Sequence, residues 1–80
     1  MRVRISLDTM TKVTSFVRAA TSYAGNIYLT DSDRAFIVSA KSMLGAVYTM
    51  EWKEVWCECE NDIYQLVNKY MIDESPRPEE

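Results

Sequence analysis

Histidine is missing altogether, and the 80-residue chain holds only two cysteines, two glycines and two prolines. Without imidazole no side chain has an ordinary pKa near neutrality, which removes the commonest general base and the commonest metal ligand. Cys57 and Cys59 stand one residue apart, a spacing that suits neither a disulfide framework nor a complete zinc site and fits a reducing compartment. Gly25 and Gly45 do not form a glycine-rich phosphate loop, and no HExxH or CxxC spacing occurs. No nucleophile sits beside a base. The chain therefore reads as a non-enzyme with no cofactor and no metal site. Also absent is any apolar run long enough for a signal peptide or a membrane helix, so a soluble, cytoplasmic protein without a membrane partner is expected. A formal charge of -3 with no clustered basic face argues against nucleic acid.

What is present has the balance of an ordinary globular domain, with 48% hydrophobic and 26% charged residues. Val3, Ile5 and Leu7 alternate with Arg2, Arg4 and Ser6, the period-2 pattern of a strand with one buried face. Asp8, Thr9 and Thr11 can cap a helix, and Val13, Phe16, Val17 and Ala20 follow at helical spacing. That helix is predicted over residues 11–23, ended by Gly25 and Asn26. Strands are predicted over 26–30 and 35–40, joined by a loop at Asp31, Ser32 and Asp33. A short helix carrying Met43, Leu44, Val47 and Met50 comes next. A fourth strand alternates Val55, Cys57 and Cys59, facing inward as small hydrophobes, with Glu54, Trp56, Glu58 and Glu60 facing solvent. Asn61 is the expected cap of a last helix bearing Ile63, Leu66, Val67 and Tyr70 and ending near Ile72. Residues 73–80, with two prolines, five charged side chains and no apolar periodicity, are expected to be a disordered tail.

The order β-α-β-β-α-β-α over residues 1–72 predicts an α+β fold: a four-stranded antiparallel sheet with three helices on one face. Two segments then bear a resemblance. Ala40-Lys41-Ser42-Met43-Leu44-Gly45 resembles the signature around the regulatory serine of the histidine phosphocarrier (HPr) family. Val17-Arg18-Ala19-Ala20-Thr21-Ser22-Tyr23, running on to Ile27-Tyr28-Leu29, is similar to the end of that family's first helix and its second strand. The resemblance implies an HPr-like open-faced β-sandwich and kinship with the phosphoenolpyruvate-dependent sugar phosphotransferase system. The family's working segment, glycine-hydrophobe-His-Ala-Arg-Pro, falls on Leu7-Asp8-Thr9-Met10-Thr11-Lys12. Thr9 takes the histidine's place. A phosphoryl group on imidazole transfers onward readily, whereas a threonine phosphate is a stable ester, so Thr9 cannot carry one onward.

The resemblance further implies that Ser42 is a candidate for regulatory phosphorylation, with helix capping as its plain structural role. Met43, Leu44 and Val47 match the positions at which family members present an apolar patch to partners. Not all three fit one exposed face, and Met43 is expected to be the most exposed. A regulatory or protein-binding module follows, by precedent with a histidine-less HPr relative that acts as a corepressor. Its implied partners are phosphotransferase-system proteins, an HPr kinase or a transcription regulator, with the chain itself a monomer or a weak homodimer. The alternative is a ferredoxin-like small-ligand or assembly module, whose sheet would place strand one between strands three and four.

Overall fold

A computed structural model describes residues 1–72; the expectation for residues 73–80 lies outside the described residues. Strands β1 (Arg2–Ile5), β2 (Ile27–Thr30), β3 (Ile37–Ser39) and β4 (Val55–Cys59) alternate with helices α1 (Met10–Ala20), α2 (Met43–Tyr48) and α3 (Tyr64–Val67) in the predicted order. One 3-10 turn, Thr49–Glu51, extends α2. The sheet order is β1-β4-β2-β3, and every neighbouring pair is antiparallel. With β4 between β1 and β2, the ferredoxin-like arrangement is ruled out.

Strand parity divides the sheet into two faces. The register aligns Val3 with Cys57, Cys57 with Leu29, and Leu29 with Val38, and these side chains share the face toward the helices. Ile5, Ile27, Leu29, Val55, Cys57 and Cys59 join Val13, Phe16, Val17 and Ala20 of α1, Ala46 of α2, and Leu66 and Val67 of α3 in one core. Full burial of Phe16 alone stabilises by about 1.5–3 kcal/mol. The opposite face is open and carries Arg2, Arg4, Tyr28, Thr30, Trp56 and Glu58.

Several elements are shorter than predicted, each for a local reason. Helix α1 ends at Ala20 because Ser22 and Tyr23 donate to carbonyls three residues back, at 3.1 Å each, tightening the chain before Gly25 turns it with φ +85. Strand β3 loses both ends. Arg34 adopts φ 59 in the preceding loop, and Ser42 N–H donates to Ser39 O at 3.1 Å, drawing residues 40–42 into a turn. Helix α3 is a single turn whose first N–H is capped by Asp62 Oδ1 at 3.0 Å, not by Asn61. Its predicted last turn is diverted to the edge of β1, where Ser6 N–H donates to Tyr70 O at 2.7 Å and Ile5 bridges Met71.

Candidate protein-binding surface

Helix α2 begins where Ser42, extended at φ -97 and ψ 116, accepts a hydrogen bond from Gly45 N–H on its Oγ at 3.1 Å. The Ser-x-x-Gly spacing thus does two things. Serine satisfies an otherwise unpaired helix N–H, and glycine lets the helix settle onto the sheet. A Cβ at Gly45 would lie 3.0 Å from Val38 Cβ, so a larger residue there needs Val38 or the helix to give by a few tenths of an ångström.

This close seat determines which side of α2 faces outward. Ala46 is fully buried against the core, Val47 is half-buried, and Leu44 is 82% exposed. Leu44, more than Met43 at 41%, is the outermost apolar side chain, which corrects the sequence-based expectation. Val38, Leu44, Gly45, Val47 and Tyr48 line a groove of about 660 Å³, with Ser42 and Glu51 from the two ends of the helical segment. Beyond it Phe36 stacks on Trp52 with centroids 6.1 Å apart, and Tyr48 meets the same indole edge-on at 6.3 Å. Ser42, Leu44 and Val47 are therefore brought together in one rim of the fold. Trp52 was read from sequence, with Trp56, as part of a sticky outer face, whereas Tyr48, Val38 and Phe36 were not singled out as site residues. The i, i+4 spacing of Leu44 and Tyr48 was the available signal for one of them; the others join through sheet pairing.

Thr9 lies elsewhere, as the N-cap of α1. Its Oγ1 accepts from Lys12 N–H at 3.1 Å, and Lys12 Nζ pairs with Asp8 at 3.0 Å. The Lys12 ammonium holds the Asp8 carboxyl below its usual range, first by its hydrogen bond and then by its charge. Thr9 is thus a solvated helix cap with a carboxylate beside it.

The two cysteines face the core as predicted. Burial pushes the Cys57 thiol up to about 12, with the neighbouring Cys59 and Glu58 adding to the shift, so it stays protonated and a poor nucleophile at neutral pH. Among the described residues no group of three or more His, Cys, Asp or Glu side chains could hold a metal ion, and no helix is long and apolar enough to cross a membrane.

Trp56 departs from its predicted solvent exposure. Its ring is half-buried beneath the Arg2 guanidinium, 4.3 Å from the ring centroid, and its Nε1–H donates to Glu54 at 3.0 Å. Glu58, one step along the same face, accepts from Arg2 Nε at 2.6 Å and Arg34 Nε at 2.8 Å. This network covers the indole, so the open face presents charge where a solvent-facing tryptophan was expected. Compared with family models, with curated proteins and with solved structures, the chain matches none.

Proposed function

We propose that this chain is a non-enzymatic, HPr-like regulatory module of the cytoplasm that works by binding another protein through the α2 rim. The observation that carries the reading is Leu44, held 82% exposed beside an apolar groove on a fold with little core to spare. Leaving a leucine in water forgoes about 2 kcal/mol of burial, and a cluster of such side chains on one rim is the usual mark of a docking surface. The HPr-like part of the proposal draws support from the β1-β4-β2-β3 order, which that family's sheet shares, and from the Ser42 segment at the start of α2. Thr9, committed to capping α1, supports a role without phosphoryl transfer.

Its partners are an HPr kinase or a catabolite-responsive transcription regulator of the sugar phosphotransferase system. Phosphate on Ser42 would add negative charge at the start of α2, where unpaired N–H groups favour it, and would alter the rim beside Leu44. Calorimetric titration of both candidate partners from the same organism tests the reading. Leu44→Lys should weaken binding about tenfold or more while stability changes by less than about 0.5 kcal/mol. A wild-type chain that binds neither partner, or binding indifferent to Leu44→Lys, would overturn it.

A further inference from the structure

The groove beside Leu44 has two unlike ends. Ser42 stands at the start of α2, and Glu51 closes the 3-10 turn that extends it. A carboxylate is out of place at that second end. Aligned peptide dipoles leave partial negative charge where a helical segment stops, and lysine or arginine is the favoured neighbour there. Neither α2 nor the 3-10 turn has a basic residue in its last turn. Glu51 is exposed and, among the described residues, forms no hydrogen bond or ion pair.

The lysines nearest the groove do not answer it. Lys41, beside Ser42, is folded back, its Nζ donating to Tyr23 O at 2.6 Å and Gly25 O at 2.8 Å. Lys53 lines the next depression, beyond Trp52, where Asp31 and Glu54 outnumber it. Aromatic rings add to the same polarity, because their faces are the negative part of the ring quadrupole. Tyr48 is 53% exposed and lines the groove with Glu51. It meets Trp52 edge-on at 6.3 Å, and Phe36 stacks on the same indole at 6.1 Å. An exposed apolar groove thus ends in an electronegative corner made of a carboxylate, a helix end and exposed rings.

We infer that the partner segment seated in this groove is basic as well as apolar: its apolar side chains lie against Leu44 and Val47, and an arginine or lysine beside them docks its cation on Glu51 and Tyr48. The inference rests on the protein-binding reading and adds the chemistry of the partner. Charge complementarity selects this occupant. Glu51 attracts the cation, the Tyr48 ring adds a cation–π contact that strengthens as water is excluded, and the methylene stem of the incoming side chain covers the apolar wall. An acidic segment would set like charges together at the same corner, so the groove discriminates by charge as well as by shape.

Two synthetic amphipathic peptides with one leucine pattern, bearing arginine or glutamate on the polar face, test the corner directly. In NMR titrations of the full chain, the arginine peptide should shift the Leu44 methyl and Tyr48 ring signals, and the glutamate peptide should not. Glu51→Gln should weaken the arginine peptide about threefold or more, and Glu51→Lys about tenfold or more. Both variants should unfold at or above the wild-type denaturant midpoint, since losing the carboxylate suits the helix end. Glu60→Gln removes an equal charge from a different cleft, shared with Arg2 and Tyr28, and should leave affinity within about twofold. Peptides that bind alike, an arginine peptide that misses Leu44 or ignores both Glu51 variants, or Leu44 signals that move with the concentration of the chain alone, as a second copy in the groove would cause, would each overturn the inference. Regulator binding lost on Leu44→Lys but untouched by Glu51→Lys would end the inference and leave the protein-binding reading standing. An arginine peptide held at Leu44 and Glu51 by a chain that binds neither kinase nor regulator would do the reverse.

Discussion

The two edges of the sheet are treated in opposite ways. At β1 the chain's own later residues close the edge: Ser6 N–H meets Tyr70 O at 2.7 Å, Ile5 bridges Met71, and Ile72 N–H meets Arg4 O at 3.1 Å. That closure is held from inside. The Tyr70 ring packs edge-on against Phe16 with centroids 5.2 Å apart, and its hydroxyl lies 2.6 Å from Ser15 Oγ. At β3 nothing comparable exists among the described residues; the edge is only made short, by the Arg34 turn on one side and the Ser39–Ser42 turn on the other. A sheet edge is closed where a buried aromatic can anchor the covering segment, and merely truncated where no such anchor follows in the chain.

Removing the anchor should break the contrast most sharply. Tyr70→Ala deletes a buried ring and should cost about 3 kcal/mol or more, a large share of the stability of so small a domain. Urea unfolding measures the loss, and amide exchange at Ser6 and Ile72 should quicken in the same variant. Ile37→Ala at the opposite edge should change stability by less than about 0.5 kcal/mol; equal losses at both sites would show that the β1 closure is no better anchored than the bare edge.

The turn that shortens β3 carries a smaller effect. Ser42→Ala should destabilise by about 1 kcal/mol through loss of the cap bond to Gly45 N–H, while Ser42→Asp should stay within a few tenths of wild type, since a carboxylate caps equally well. Chemical denaturation of the pair decides it, and an Ala variant as stable as the Asp variant would remove Ser42 from the account of α2.

The smallest effect belongs to Glu58, which ties Arg2 on β1 to Arg34 in the loop before β3 across the open face. Partial burial raises its pKa, but hydrogen bonds from Arg2 and then Arg34 outweigh this and hold it below the ordinary 4.5. A folded-state pKa below the unfolded value means that the unfolded chain binds more protons in the window between the two. Stability from this group is therefore fully present above 4.5 and is lost as pH falls through the lowered value. Solvent screening keeps the contribution modest. Glu58→Gln should flatten the acid side of the stability profile and leave the slope of the neutral side unchanged, since the carboxylate is ionised in both states there; an unchanged acid limb would assign the acid sensitivity to other carboxylates.

Much of this arrangement was legible beforehand because it is periodic. Val13, Phe16, Val17 and Ala20 recur at helical spacing, and all four are buried. Val55, Cys57 and Cys59 share strand parity, and all three face the core. The capping role of Ser42 was legible too, and Thr9 stood among three candidate caps with Asp8 and Thr11, because a hydroxyl before a helix bonds to an N–H three residues on. Tyr70 was placed on the last helix by the same periodicity, and it is buried, but its backbone serves β1, since α3 stops at Val67. Periodicity names a buried side chain without saying which hydrogen bond its backbone will make.

The candidate site was legible in part for the same reason. Ser42, Leu44 and Val47 were named from one local segment, yet Leu44 as the outermost side chain depends on how deeply α2 sits, which the 3.0 Å approach at Gly45 to Val38 decides. Phe36 and Trp52, sixteen residues apart in the sequence, meet only through the fold. Trp56 looked solvent-facing by alternation and does lie on the outer face, but Arg2 and Glu54 cover it. By itself the sequence determined the element order, the inward faces and the absence of histidine chemistry, since each depends on residue type and on neighbours within a few positions. Only the tertiary structure decided the strand order, the closing of one edge and not the other, and which apolar side chains stay in water, because each depends on pairings between distant segments that local pattern does not encode.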